Sequence, residues 1–220
     1  MKCYLLPLLP LLALLWWPPA HGQQPAPAPA TPLLAFHQAH LGQILFSATR
    51  LPATGYADAA HYIGYHAYTL TPRSSLYLTA FLTTSLPDAL ARLAPDAQRT
   101  DFMKRGSFQY CFYVDEQLVY TAYLQPEPQY LREENAQPVL HQPMLAPETS
   151  GKKKQSLWAS FLAHGGRKAL AEGSHMLRLV IRPYLQSPLL QVGPVLAVGQ
   201  VALNVTPHAA PARAAALVAP

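Results

Sequence analysis

The sequence predicts a mainly β protein, an antiparallel β-sandwich of jelly-roll-like type carrying one or two short helices. Three observations lead there. Apolar residues recur at every second position in several segments, the signature of strands buried on one face. Helical periodicity is confined to two short stretches. Half of the 220 residues are hydrophobic and 12% are charged, a balance that supplies a packed interior rather than a disordered chain.

Taken in order, the chain opens with "MKCYLLPLLPLLALLWWPPAHG". One lysine, a Leu-rich stretch from Leu5 to Trp17 and the small-residue pattern Ala20-His21-Gly22 are the layout of a secretory signal peptide, residues 1–22. The apolar stretch falls short of the about 20 residues a helical membrane span needs, so no stable membrane insertion is expected after cleavage. Cys3 precedes the apolar core, the wrong side for lipid attachment. The expected destination is therefore outside the cytoplasm, periplasmic or extracellular. "QQPAPAPATP" (23–32) reads as an extended Pro/Ala linker, and 206–220 as a disordered Ala/Pro tail, leaving one domain over 33–205.

Within that domain, "GQILFSA" (42–48) is a first strand. "YIGYHAYTL" (62–70) and "SLYLTAFLTT" (75–84) are expected to pair around Thr71-Pro72-Arg73. "PDALARLA" (87–94) has Pro87 at its start and Pro95 beyond its end, a two-turn helix. In "GSFQYCFYVDEQLVYTAYL" (106–124), Phe108, Tyr110, Phe112 and Val114 alternate up to Asp115-Glu116-Gln117, and the chain returns from Leu118 to Leu124 as a hairpin. "KQSLWASFLAHGG" (154–166) places Leu157, Trp158, Phe161 and Leu162 at helical spacing before two glycines. "HMLRLVIRPYL" (175–185) turns Leu177, Leu179 and Ile181 inward, Arg178 and Arg182 outward, with Pro183 ending its hydrogen-bonded part. "AVGQVALNV" (197–205) repeats that alternation through Val201, Leu203 and Val205. Seven or eight strands result.

The common chemistries find little support. Once the signal peptide is removed, Cys111 is the only cysteine, so no internal disulfide forms. It sits mid-strand between Tyr110 and Phe112, without a glycine-rich turn to expose it; packing is the expected role, set against a redox or intermolecular partner and a nucleophile. Ser150-Gly151-Lys152-Lys153 matches S-x-x-K formally but lies in a glycine- and lysine-rich loop. His37/His40 and His61/His66 lack the third ligand and second shell of a zinc site and read as surface histidines. No phosphate-cradling glycine loop occurs, no cofactor or metal is expected, and the acids of "REENAQ" (132–137) form no visible pair. The "GKKK" run (151–154) is a solvated loop, and no nucleic-acid site is read from it.

Recognition remains. Tyr113 and Tyr123, on faces opposite the core sets of their strands, are the leading binding candidates, with Trp158, Arg178 and Arg182 beside them. The leading expectation is an exported, non-catalytic binding or accessory protein for an envelope protein or a glycan. The alternatives are a hydrolase whose site is assembled from several strands and a structural surface-assembly subunit.

The run from "GSFQYCFYVDEQLVYTAYL" through "LWASFLAHGGRKALAEGSHMLRLVIRPYL" to "VGPVLAVGQVALNV" resembles a module of secreted Bacteroidota proteins. It is similar to the accessory β-sandwich that precedes the catalytic domain in some β-lactamase-related serine hydrolases of that phylum. The likeness covers about 106–205, nearly half the chain, and rests on framework positions. It implies the sandwich fold and a module standing alone, without the catalytic serine, lysine and tyrosine of those hydrolases; residues 33–105 have no counterpart in it.

Overall fold

Backbone pairing sorts the strands into two sheets. A computed structural model of the chain describes residues 32–51, 56–64, 66–71, 74–95, 105–126, 139–145, 157–186 and 190–206. The expected signal peptide, nearly all of the Pro/Ala linker and tail, the S-x-x-K match, and "REENAQ" lie outside the described residues. The larger sheet contains β2 (Tyr68–Leu70), β4 (Gly106–Val114), β5 (Gln117–Leu124), β7 (Gly173–Leu185) and β9 (Ala197–Val205) in the order β2-β9-β7-β4-β5, with β8 (Gln191–Val192) pairing to β7. The smaller holds β1 (Ile44–Ser47), β3 (Leu76–Phe81) and β6 (Val139–Leu145) in the order β1-β3-β6. The protein is mainly β, with two sheets and a few short helices.

One apolar interior is fed from both sheets. Ile44, Phe46, Leu76, Leu78 and Ala80 come from the smaller sheet; Phe108, Tyr110, Phe112, Leu177, Leu179, Ile181, Val201 and Leu203 come from the larger. These are the inward sets read from the period of two in β4, β7 and β9. Phe161 of α3 (Leu157–Phe161) stacks on Phe112 with ring centroids 4.8 Å apart, and Trp158 lies 5.0 Å from Phe161. The helix thus closes one end of the interior against β4 and β5. Gly166 passes under this stack, where a Cβ would sit 2.6 Å from the Phe161 ring.

Several sequence expectations are corrected. Residues 62–84 do not form a hairpin: β2 pairs with β9, parallel, while β3 pairs with β1 and β6. The Ser74 hydroxyl donates to the Thr69 carbonyl (3.2 Å), and the Thr71 amide donates to Ser74 (2.8 Å). That turn sends the chain from one sheet to the other instead of folding it back. The parallel β2–β9 pair and a parallel bridge between Gln43 and Val198 also depart from the all-antiparallel expectation. They arise because β9 receives segments distant in sequence on its outer side.

Pro183 does not end its strand, which runs on to Leu185. In an antiparallel strand a residue's N–H and C=O point to the same side. The Pro183 carbonyl accepts from Gly193 (2.9 Å), so its missing N–H would face the gap between β9, whose pairing ends at Ala197–Ile181, and β8, which begins at Val192–Tyr184. A proline is tolerated there because no ladder bond is lost.

The expected helix at 87–94 is α2 (Leu86–Leu93), capped by the Ser85 hydroxyl accepting from the Asp88 amide at 3.2 Å. The one at 154–166 is α3 followed by a wider turn, Leu162–Gly166, and a short α4 (Arg167–Ala169). α1 (Pro32–Ala39) and β6 were not foreseen. The proline-rich approach hid the first, and Pro143 inside "VLHQPML" argued against the second. Nine strands stand among the described residues, against seven or eight expected.

Candidate functional site

The face of the larger sheet turned away from the interior carries four of the five candidate residues. Register fixes their neighbours. Gln109 stands opposite Tyr123 of β5 on one side and Arg182 of β7 on the other; Tyr113 opposes Arg178; Ser107 opposes Tyr184, and Val192 flanks Tyr184 from β8. Tyr113, Tyr123, Arg178 and Arg182 therefore share one face, as their odd–even placement in the alternating runs implied. Trp158 does not join them. It is 3% exposed in the apolar interior, and an indole enclosed there presents no surface to a ligand.

Contacts divide this face into a locked half and an open half. The Arg178 guanidinium lies 4.1 Å above the Tyr113 ring and donates to the Glu116 carboxylate at 3.0 Å. Its charge is already matched, and it covers the ring that was to bind. Arg182, in contrast, has no hydrogen bond or ion pair to any described residue. Beside it, Tyr123 is 51% exposed and packs against Tyr184 with ring centroids 4.4 Å apart. Gln109 is only 8% exposed, and its amide nitrogen donates to the Tyr123 hydroxyl at 3.3 Å. That hydroxyl, accepting from below, keeps its own proton to offer outward.

Cys111 lies on the same face, between Thr121 and Val180 in register, and is buried by its neighbours. Burial pushes its thiol pKa up, with the Thr121 hydroxyl and the Arg182 charge pulling the other way. A thiol held protonated is a packing group, as expected, and a poor nucleophile.

A polar cluster at the β4–β5 turn was not foreseen. Asp115 and Glu116 both take left-handed backbone conformations (φ 48° and 67°), forming a two-residue turn without the glycine such turns favour. Asp115 is clamped to β7: its amide donates to the Met176 carbonyl (3.0 Å), and its carboxylate accepts from the Met176 amide (2.9 Å) and the His175 Nδ1 (2.8 Å). The His175 Nε2 faces the Ala171 carbonyl at 2.9 Å. Both ring nitrogens thus meet groups that only accept, which the doubly protonated imidazolium satisfies. The Asp115 hydrogen bond raises the His175 pKa, and the His175 hydrogen bond in turn lowers that of Asp115. This is a clamp rather than an acid–base pair, since no ring lone pair is presented to a substrate. Residues 60 positions apart meet here through β4–β7 register alone, which no local pattern announces.

A second cluster lies where α1 covers β3. His40 stacks on Phe36 (4.1 Å), Phe36 approaches Phe81 (5.6 Å) and Tyr62 (6.0 Å), and Tyr62 donates to the Tyr56 carbonyl at 3.0 Å. Burial pushes the Tyr62 pKa up to about 12, against a hydrogen bond with Thr79. His37 was expected at the surface but is 4% exposed beside Phe81, because α1 turns it inward; its ring nitrogens have no partner among the described residues. Among those residues no group of three metal-ligating side chains converges, and no helix is long and apolar enough to cross a membrane.

No family model matches this chain, and comparisons with curated proteins and with solved structures return no significant match.

Proposed function

We propose that this protein is an exported, non-catalytic β-sandwich module that binds an envelope protein or a glycan through the outer face of its larger sheet. The single observation carrying this reading is the open half of that face. There a guanidinium unpaired among the described residues, an exposed tyrosine and a second tyrosine ring are held on neighbouring strands over a buried glutamine. Aromatic rings and a fixed cation on a sheet are the equipment of recognition, and strands position such groups better than loops do. The sandwich assignment is supported by the single interior fed from both sheets. The jelly-roll assignment, the periplasmic or extracellular destination and the kinship with the accessory module of Bacteroidota hydrolases come from the sequence and are part of the same proposal.

Glycan-array and pull-down measurements on residues 23–220 test the reading. Binding that Tyr123→Ala and Arg182→Gln both weaken in a still-folded protein supports it. Binding indifferent to both substitutions overturns it.

A further inference from the structure

Resting on that reading, we infer that the open half of the outer face takes an anionic sugar, a ring bearing a carboxylate, with Arg182 on the carboxylate and Tyr123 and Tyr184 on the ring. Four features of the site select this chemistry.

The first is charge. Arg182 is central on the sheet, on the inner strand β7, and is unpaired among the described residues, whereas the neighbouring Arg178 is neutralised by Glu116. Among the described residues the site therefore presents one uncompensated positive group, suited to one negative charge per ligand unit. A planar guanidinium meets a carboxylate through two parallel N–H···O bonds, which fixes orientation as well as charge.

The second is the ring surface. Tyr123 and Tyr184 pack at 4.4 Å with planes 44° apart, making a two-faceted apolar floor next to the cation. The C–H faces of a pyranose pack on such rings, while an extended acidic peptide has no equivalent flat face.

The third is pre-organisation. Gln109 is buried under Tyr123 and donates to its hydroxyl, so the outward hydrogen bond is a donor aimed at a ligand oxygen. Little ordering is left to be done on binding.

The fourth is span. From Tyr123 on β5 to Arg182 on β7 is two strand spacings, about 10 Å, with Gln109 between them. That accommodates a stacked ring and its charged substituent.

The experiment is affinity electrophoresis and calorimetry of the full chain against polygalacturonate, with fully methyl-esterified polygalacturonate and polyglutamate as the other probes. Polygalacturonate is expected to bind, the ester and the polypeptide not, and added salt to weaken the interaction. Arg182→Gln is expected to reduce affinity about tenfold or more, the scale of a lost charge-assisted pair. Tyr123→Ala is expected to lose a comparable factor, and Lys168→Gln, an equal charge change at an exposed site elsewhere, to lose none. Circular dichroism melts keep loss of binding separate from loss of fold.

Equal binding of the esterified polymer would overturn the anionic assignment while leaving a glycan-binding face in place. Equal binding of polyglutamate, or equal loss in Lys168→Gln, would overturn the sugar assignment in favour of general charge attraction. Failure of every polysaccharide would overturn the inference, and the array and pull-down would then report separately on the wider reading.

Discussion

Two glycines, one phenylalanine and one cysteine carry testable consequences at the scale of single residues. Gly199 lies where β9 passes β1, and a Cβ there would collide with the Ile44 carbonyl oxygen, a backbone atom with no rotamer to yield. Gly199→Ala is therefore expected to cost about 3 kcal/mol, read by urea denaturation; an unchanged midpoint would mean the two strands are not this close. Gly166, by comparison, lies against the Phe161 ring, which can shift, so its substitution is expected to cost less. Phe161→Ala removes the centre of the Phe112–Phe161–Trp158 stack and is expected to cost about 3–5 kcal/mol. Cys111→Ser exchanges a protonated, buried thiol for a hydroxyl that keeps a partner in Thr121, and should cost about 1 kcal/mol. In the native protein Cys111 should also resist thiol reagents at neutral pH and react only on unfolding; rapid native labelling would contradict the packing role.

At the scale of elements, the β4–β5 hairpin shows how a turn with unsuitable residues is held. Asp115 and Glu116 adopt left-handed conformations that cost non-glycine residues about 1 kcal/mol each, and the clamp from Asp115 to Met176 and His175 offsets this. The pH dependence follows from the two shifts. His175 titrates above its usual 6.5, so its contribution is complete below that value and is lost as pH rises through the raised value. Asp115 titrates below its usual 3.8, so its contribution is complete above that value and is lost as pH falls through the lowered one. The hairpin should be firmest between those two usual values and loosen as pH rises through the raised His175 value, seen as falling amide protection factors, corrected for base-catalysed intrinsic exchange, at residues 112–120. His175→Ala should remove that loss, and protection factors as pH-dependent as in the parent protein would show that the clamp does not matter. Asp115→Asn, on an exposed turn, is expected to cost only about 1 kcal/mol.

The whole molecule also shows what a sequence can and cannot announce. Alternation along Phe108–Val114, Leu177–Ile181 and Val201–Val205 identified the inward sets because each strand buries one face, and a period of two needs no knowledge of neighbours. The same parity put Tyr113, Tyr123, Arg178 and Arg182 on a common face once β4, β5 and β7 were adjacent. It failed where partnership is decided at a distance. β2 chose β9 rather than β3, and Pro183 survived because a ladder bond was already missing there. Gln109 and Tyr184 obey the same alternation as Cys111 and Arg182, but a glutamine does not stand out by type and Tyr184 follows Pro183, where the pattern alone ends the strand. Trp158 is ambiguous in the sequence because a tryptophan is equally suited to a surface and an interior, and only the stack with Phe161 settles its burial.

The outer face is the claim on which the rest depends, and tyrosine-ring NMR addresses it most directly. With ring-labelled tyrosine in the full chain and the ligand identified on the array, Tyr123 and Tyr184 should shift on titration. Tyr62 and Tyr68, away from that face, should hold their positions. Shifts confined to Tyr62 and Tyr68, with Tyr123 and Tyr184 unmoved, would place binding elsewhere and contradict the account.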